Sequence, residues 1–403
     1  MRGMRACSLA LLVSLLASAF LLREPAAAQQ PAERDVFFGA GSCAAQACHG
    51  GGSAERQEYK VWAARDRHSK AYDSLSGDLG RRIGERLGID PPRAQECLAC
   101  HGVTSTKTAA TFDPHDGVSC ELCHGAAGRW LGPHAAPGFK EKLPVDKEQL
   151  GLVDLTTPEK RAARCVSCHV GGEGRDLTHA MMAAGHPPLV FSLVKFLHDM
   201  PPHWKNVAPG DLGAWEAGAK AAAVARLLQV ARMADAGKDW PEFAAFDCYG
   251  CHQEIGRGGG PGAKGRPGDM PLDVAALEVL GAGDAVLGER LEAALTATYA
   301  PGAPRGPLAE MARAAALEVE RLPAASAAGF RQGLDTWLAR VESGEARAGY
   351  ATMQQVALAT FALAAAPEGA EFADAYRALD EALARPYDER ACAALARRAL
   401  AAR

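Results

Sequence analysis

The 403-residue sequence has no excess of basic charge: 44 Lys and Arg stand against 48 Asp and Glu, a formal net charge of −4. Nucleic-acid binding needs a basic face or stripe, so that class is excluded. Long apolar runs are scarce too. The longest, Ser8 to Leu22, holds about 15 residues against the roughly 20 that a membrane-crossing helix requires. Runs with the two-residue alternation of a half-buried strand are nearly missing, which argues against a sheet-based fold. With 48% hydrophobic and 23% charged residues the chain is nonetheless globular rather than disordered. What is abundant is 12 Cys and 12 His. So many cysteines call for disulfides, zinc, redox thiols or haem attachment, and their spacing decides among these.

The first residues read as an export address. Met1 to Cys7 is basic through Arg2 and Arg5, the apolar run follows, and Ala26-Ala27-Ala28 offers a small-residue cleavage site before Gln29. This is the pattern of a secretory signal peptide over 1–28, which implies a periplasmic protein with no membrane span after cleavage. Cys7 precedes the apolar run, so it is not positioned as a lipid-modified cysteine. Removing Arg2, Arg5, Arg23 and Glu24 leaves the mature chain near −6.

Eight cysteines repeat one pattern: Cys97-Leu-Ala-Cys100-His101, Cys120-Glu-Leu-Cys123-His124, Cys165-Val-Ser-Cys168-His169 and Cys248-Tyr-Gly-Cys251-His252. C-x-x-C-H is the c-type haem attachment pattern. Two thiols a turn apart reach the two vinyl groups of one porphyrin, and the adjoining imidazole becomes the iron's proximal ligand. Zinc would want two further ligands at every site. A fifth site, Cys43-Ala-Ala-Gln-Ala-Cys48-His49, has four residues between its cysteines. Its intervening loop can bulge to accommodate a porphyrin; the alternatives are a haem held by Cys48 alone, or a disulfide and no haem. Five haem c groups are expected, four if this site binds none. Cys392 remains, in an Ala-rich helical stretch where it reads as a small buried hydrophobe.

Each proximal imidazole leaves one axial position on its iron, and what fills it separates a carrier from a catalyst. His68 follows His49 at the end of a helix expected over 53–75, with Tyr59 and Trp62 able to cover a porphyrin face. His134 follows the stiff stretch Arg129-Trp130-Leu131-Gly132-Pro133. His179 and His186 lie on a helix expected over 176–185, capped by Asp176 and stopped by Pro187-Pro188, with a seven-residue spacing that returns to one face. His203, in Met200-Pro-Pro-His-Trp204, is a fifth distal candidate. His115 and His198 read as solvent or supporting groups.

The expected organisation is mainly α. Residues 29–255 form a multihaem domain in which porphyrins supply much of the buried apolar surface. Its helices are expected over 78–88, from Thr157-Pro158-Glu159 into the fourth motif, over 188–199 and over 211–237. A Gly/Pro-rich linker follows at 256–270, then a helical, bundle-like region at 271–403 with helices near 307–322 and 345–365. A scaffold for the haem layer is the simpler role for that region; docking to a partner is the alternative.

Gly41-Ser42-Cys43 through Cys48-His49, then Trp62 and His68, then Gly117-Val-Ser-Cys-Glu-Leu-Cys-His-Gly125 with Trp130 and His134, then Cys165 through His169 to His179-Ala-Met-Met-Ala-Ala-Gly-His186-Pro, resemble the multihaem c-type cytochromes of the cytochrome c-554 family. The resemblance covers most of residues 40–255 and not the tail. It implies a helical fold wrapping stacked haems, electron transfer in the periplasm, and His68, His134, His179 and His186 as distal ligands. Two departures from the four-haem pattern are the wide first motif and the fifth motif with its long tail. An electron carrier exchanging electrons with redox partner proteins is therefore expected, with membership of a respiratory complex compatible. The alternative is an oxidoreductase acting on nitrite, hydroxylamine or nitric oxide at one open haem. The absence of C-x-x-C-K removes the Lys-ligated haem of pentahaem nitrite reductases, and five motifs fall short of the eight in hydroxylamine oxidoreductases.

Overall fold

A computed structural model describes residues 36–52, 56–202, 212–236, 241–246, 275–280, 293, 297, 304–324, 326–346, 348–363, 370–383 and 388–401. The expected signal segment and linker, His203 and the motif Cys248 to His252 lie outside the described residues.

The described residues are mainly helical, with no strand; the one β-bridge pairs Phe37 with Thr108. Along the first half run α1 (Glu58–Arg65), α2 (Ala71–Ser74), α3 (Asp78–Leu87), α4 (Gln95–His101), α5 (Cys120–His124), α6 (Pro144–Gln149), α7 (Pro158–His169), α8 (His179–Ala184) and α9 (Leu193–Asp199). The second half holds α10 (Leu212–Ala236), α11 (Ala275–Leu280), α12 (Gly306–Glu320), α13 (Ala327–Ser343), α14 (Tyr350–Leu363), α15 (Ala370–Leu383) and α16 (Glu389–Ala401).

Local signals explain several boundaries. Thr157 Oγ1 accepts from Lys160 N and Pro158 opens α7, the N-cap and first-turn proline that the sequence suggests. Gly88, at φ 70°, ends α3 in the left-handed conformation that glycine adopts without strain.

Three segments depart from expectation. The helix anticipated over 53–75 breaks at Asp66, whose backbone is extended and whose Oδ1 accepts from His68 N; a 3-10 turn, Arg67–Lys70, starts there. A short carboxylate competes with the helix for its own backbone N–H, and here it wins. The helix anticipated over 176–185 is shorter. Thr178 caps it, while Asp176 is drawn away into a two-bond pair with Arg232, and Gly185 at φ 120° ends it before His186. The shared-face argument for His179 and His186 therefore does not apply. The helix anticipated over 188–199 starts only at Leu193, where Ser192 Oγ accepts from Lys195 N.

The aliphatic core sits in the second half. α10 is buried on nearly every side and packs against α7, α9, α11, α12 and α14. One cluster joins Val166 of α7, Val170 just after it, Leu193 and Leu197 of α9 and Trp215 of α10 to Leu334, Leu338, Met353 and Cys392 of the later helices. Cys392 is buried as expected, and burial pushes its thiol up to about 11. The hydrophobic clusters among the described residues draw only on positions from Ala162 onward. Before that point short helices surround half-buried cysteines and histidines.

Candidate haem centres

Each described C-x-x-C-H motif ends a helix. His101 closes α4, His124 closes α5 and His169 closes α7, with Gly102, Gly125 and Val170 following. Cys97 and Cys100, Cys120 and Cys123, and Cys165 and Cys168 therefore sit one turn apart, the spacing that two vinyl groups of one porphyrin demand.

The first site reaches a similar arrangement through a loop. Cys48 N donates to Ala45 O, His49 N to Cys43 O and Gly50 N to Ala45 O, so the two extra residues fold back on themselves. Gly50 is required, because a Cβ there would lie 1.9 Å from Ala44 O.

Histidines distant in sequence meet in pairs. His49 and His134 have ring centroids 6.3 Å apart and planes within 9°. His68 and His169 are 5.9 Å apart, and His101 and His186 are 6.3 Å apart, both nearly perpendicular. Bonds of about 2.0 Å from a metal ion to one nitrogen of each of two imidazoles would hold the centroids roughly 6 Å apart, so these pairs fit an iron between them.

The outward nitrogens support that fit. His101 Nδ1 donates to Ala71 O at 3.0 Å, His186 Nδ1 to Pro187 O at 2.8 Å and His134 Nδ1 to Leu131 O. A carbonyl only accepts, so Nδ1 carries the proton and Nε2 keeps the lone pair that a metal needs. His68 Nδ1 lies 3.0 Å from Asp66 Oδ1, and His49 Nδ1 lies 3.3 Å from Glu58 Oε2. Burial holds His101 below the usual imidazole range and drops His169 to about 4, keeping both neutral and able to ligate. Phe191 and Phe196 pack on the His169 ring.

The other histidines are arranged differently. His179 begins α8, with its N–H on Glu242 Oε1 and its ring edge against Phe243, rather than sharing a pair with His186. His115 is exposed and bonded to Asp73 Oδ1 at 2.6 Å, which raises its pKa. His198 is exposed beside Asp199 and Phe361.

Thiols of different motifs also adjoin. Cys43 interacts with Cys120, and Cys100 with Cys168, while Cys123 lies in the field of Cys168 and contributes to that of Cys165. Burial pushes the Cys123 thiol to about 11 and Cys165 to about 12.

Two acidic groups not singled out in the sequence hold this region together. Glu121, inside the third motif, is 1% exposed. Its carboxylate accepts from Phe38 N, Gly39 N at 2.7 Å and Ala127 N at 2.8 Å, tying the residues before the first motif to those after the third. Asp116 Oδ2 accepts from Ala40 N at 2.7 Å, with its pKa raised by burial. The available signal was a lone Glu between two cysteines of an attachment motif. Trp62 covers the same area from α1 and donates from Nε1 to Val118 O at 3.1 Å.

Comparison with known proteins agrees with this geometry. A family model described as cytochrome c554 and c-prime matches residues 42–125. Cytochrome c-554 of Nitrosomonas europaea is 28% identical over 148 residues, 34% of this chain. The chain spans 59% of that relative's length. No solved structure matches the chain. Among the described residues no helix is long and apolar enough to cross a membrane. The matched motifs and the imidazole pairs agree: residues 42–125 are similar to the cytochrome c554 and c-prime family, and the attachment motifs fit covalently bound haem c.

Proposed function

We propose that the protein is a periplasmic electron carrier whose five haems are each attached by one motif and mostly ligated by two histidines. The observation that carries this reading is the set of three imidazole pairs at 5.9–6.3 Å, each joining a motif histidine to one from elsewhere in the chain. His49, His101 and His169 serve as proximal ligands with His134, His186 and His68 opposite them. His124 and His252 complete the proximal set. They draw on His179 and His203, and His179 stands beside the 242–246 segment that leads toward the fifth motif. Iron closed on both faces exchanges an electron with little rearrangement and offers no position to a substrate.

Thiol proximities support an order of haems. Once they are thioethers, Cys43 beside Cys120 would bring the first porphyrin's edge to the third, and Cys100 beside Cys168 the second's to the fourth. Cys123 near Cys165 and Cys168 would link the third to the fourth. Electrons would then run first, third, fourth, second, between redox partner proteins at either end. The helices of 271–403 act as scaffold, since the aliphatic cluster that backs α7 and α9 is built from them.

The rival reading, reduction or oxidation of a small nitrogen species, needs an open iron, and three of the sites are supplied with imidazoles on both sides. Carbon monoxide tests this on the fully reduced, haem-loaded protein. No change in the Soret band is expected; stoichiometric binding by one haem per chain would overturn the carrier reading.

A further inference from the structure

The imidazole pairs differ in what their outer nitrogens donate to. Between His101 and His186 both acceptors are neutral main-chain carbonyls, of Ala71 and Pro187, with Ser74 Oγ also 3.2 Å from His101 Nδ1. In the pair of His68 and His169 the acceptor of His68 is a carboxylate. Asp66 is 5% exposed, its Oδ1 lies 3.0 Å from His68 Nδ1, and the same oxygen accepts from His68 N. The His49 and His134 pair is intermediate. Glu58 Oε2 lies 3.3 Å from His49 Nδ1, but both side chains are partly in solvent.

A carboxylate that accepts the Nδ1 proton pulls the ring toward imidazolate and makes Nε2 a stronger donor. A stronger donor, with a nearby negative charge, favours ferric over ferrous iron. Burial keeps that charge unscreened at Asp66, while water weakens it at Glu58.

We propose that Asp66, and more weakly Glu58, are positioning residues that act through His68 and His49 to hold those two irons at lower reduction potentials than the iron between His101 and His186. Asp66 does so from the point where the chain breaks between α1 and the following turn, so one residue sets both the direction of His68 and its basicity. The proposal rests on the ligand pairs proposed above.

The test is a spectroelectrochemical titration of the mature, haem-loaded protein with EPR of the ferric state. Asp66→Asn keeps the size and an acceptor oxygen but loses the charge. It is expected to shift one haem toward the ferrous form about tenfold, equivalent to ~59 mV for one electron. Low-spin signals and haem content should be unchanged. Glu58→Gln should move a different haem in the same direction by a smaller factor. Asp73→Asn removes the same charge beside the non-ligand His115 and should leave every haem in place.

An Asp66→Asn protein that retains low-spin iron but shows no shift, or a shift matched by Asp73→Asn, overturns the proposal. If Asp66→Asn does not fold, Glu58→Gln alone decides, and the absence of an upward shift there overturns it. A wild-type ferric spectrum without three bis-imidazole low-spin irons would instead overturn the ligand pairs themselves.

Discussion

The imidazoles of His49 and His134 lie parallel to within 9°, at a centroid separation of 6.3 Å. Their approach is built from both ends: the folded-back loop of the wide first motif presents His49, and the turn Pro133–Ala135 presents His134 with Nδ1 on Leu131 O. The unusual cysteine spacing is therefore compatible with the ligand pair proposed for this site.

Removal of His134 follows from that. His134→Ala is expected to turn one haem per chain high spin while the haem content by mass stays the same. His115→Ala, which removes an exposed ring bonded only to a surface carboxylate and lying edge-on to Tyr72, should leave the visible and EPR spectra unaltered. An unaltered spectrum for His134→Ala would remove it from the ligands.

Glu121 is the main tie between the first and third motifs. Glu121→Ala leaves two buried backbone N–H groups, of Gly39 and Ala127, and the part-buried one of Phe38 without their acceptor, at about 1–3 kcal/mol for each buried group. A loss of about 3 kcal/mol or more is expected, seen as a lower apparent Tm and faster proteolysis of the haem-loaded protein. Glu121→Gln keeps one oxygen acceptor and should cost roughly half as much.

His115 gives a pH signature separate from the haem ligands. Its hydrogen bond to Asp73 raises its folded pKa above the ordinary value of about 6.5. The pair thus stabilises the fold fully below pH ~6.5 and loses that contribution as pH rises through the folded pKa. Histidine NMR of the fully reduced protein should show His115 titrating above its ordinary value, and Asp73→Asn should lower it toward that value.

Leu338 tests the role of the later helices. It is fully buried in the cluster that includes Val166 of α7 and Leu193 of α9. Leu338→Ala should cost about 2–5 kcal/mol, lowering the apparent Tm with no change in the haem spectrum. A changed spectrum would mean that this region shapes the haem sites directly.

Much of the candidate site was legible in the sequence, from motif spacing, local context and the family resemblance. The motifs, Thr157 and Pro158 at the start of α7, and His68, His134 and His186 as partners for motif histidines are local or compositional signals. Which imidazole meets which could not be read, because pairing depends on how distant turns are brought together. Helix boundaries near the candidate histidines failed for a physical reason. Asp66 and Thr178 took backbone N–H groups for their own side chains, and Asp176 was captured by Arg232, an ion pair that no local pattern announces. Likewise Glu121 looked like an ordinary polar residue inside a motif, and only the fold brings Phe38, Gly39 and Ala127 to its carboxylate.

The most direct measurement is low-temperature EPR of the ferric, fully matured protein, quantified against haem content. Iron closed on both faces by imidazoles is expected to give low-spin signals that account for every haem. One high-spin iron per chain would contradict this, and nitrite, hydroxylamine and nitric oxide would then be the substrates to test.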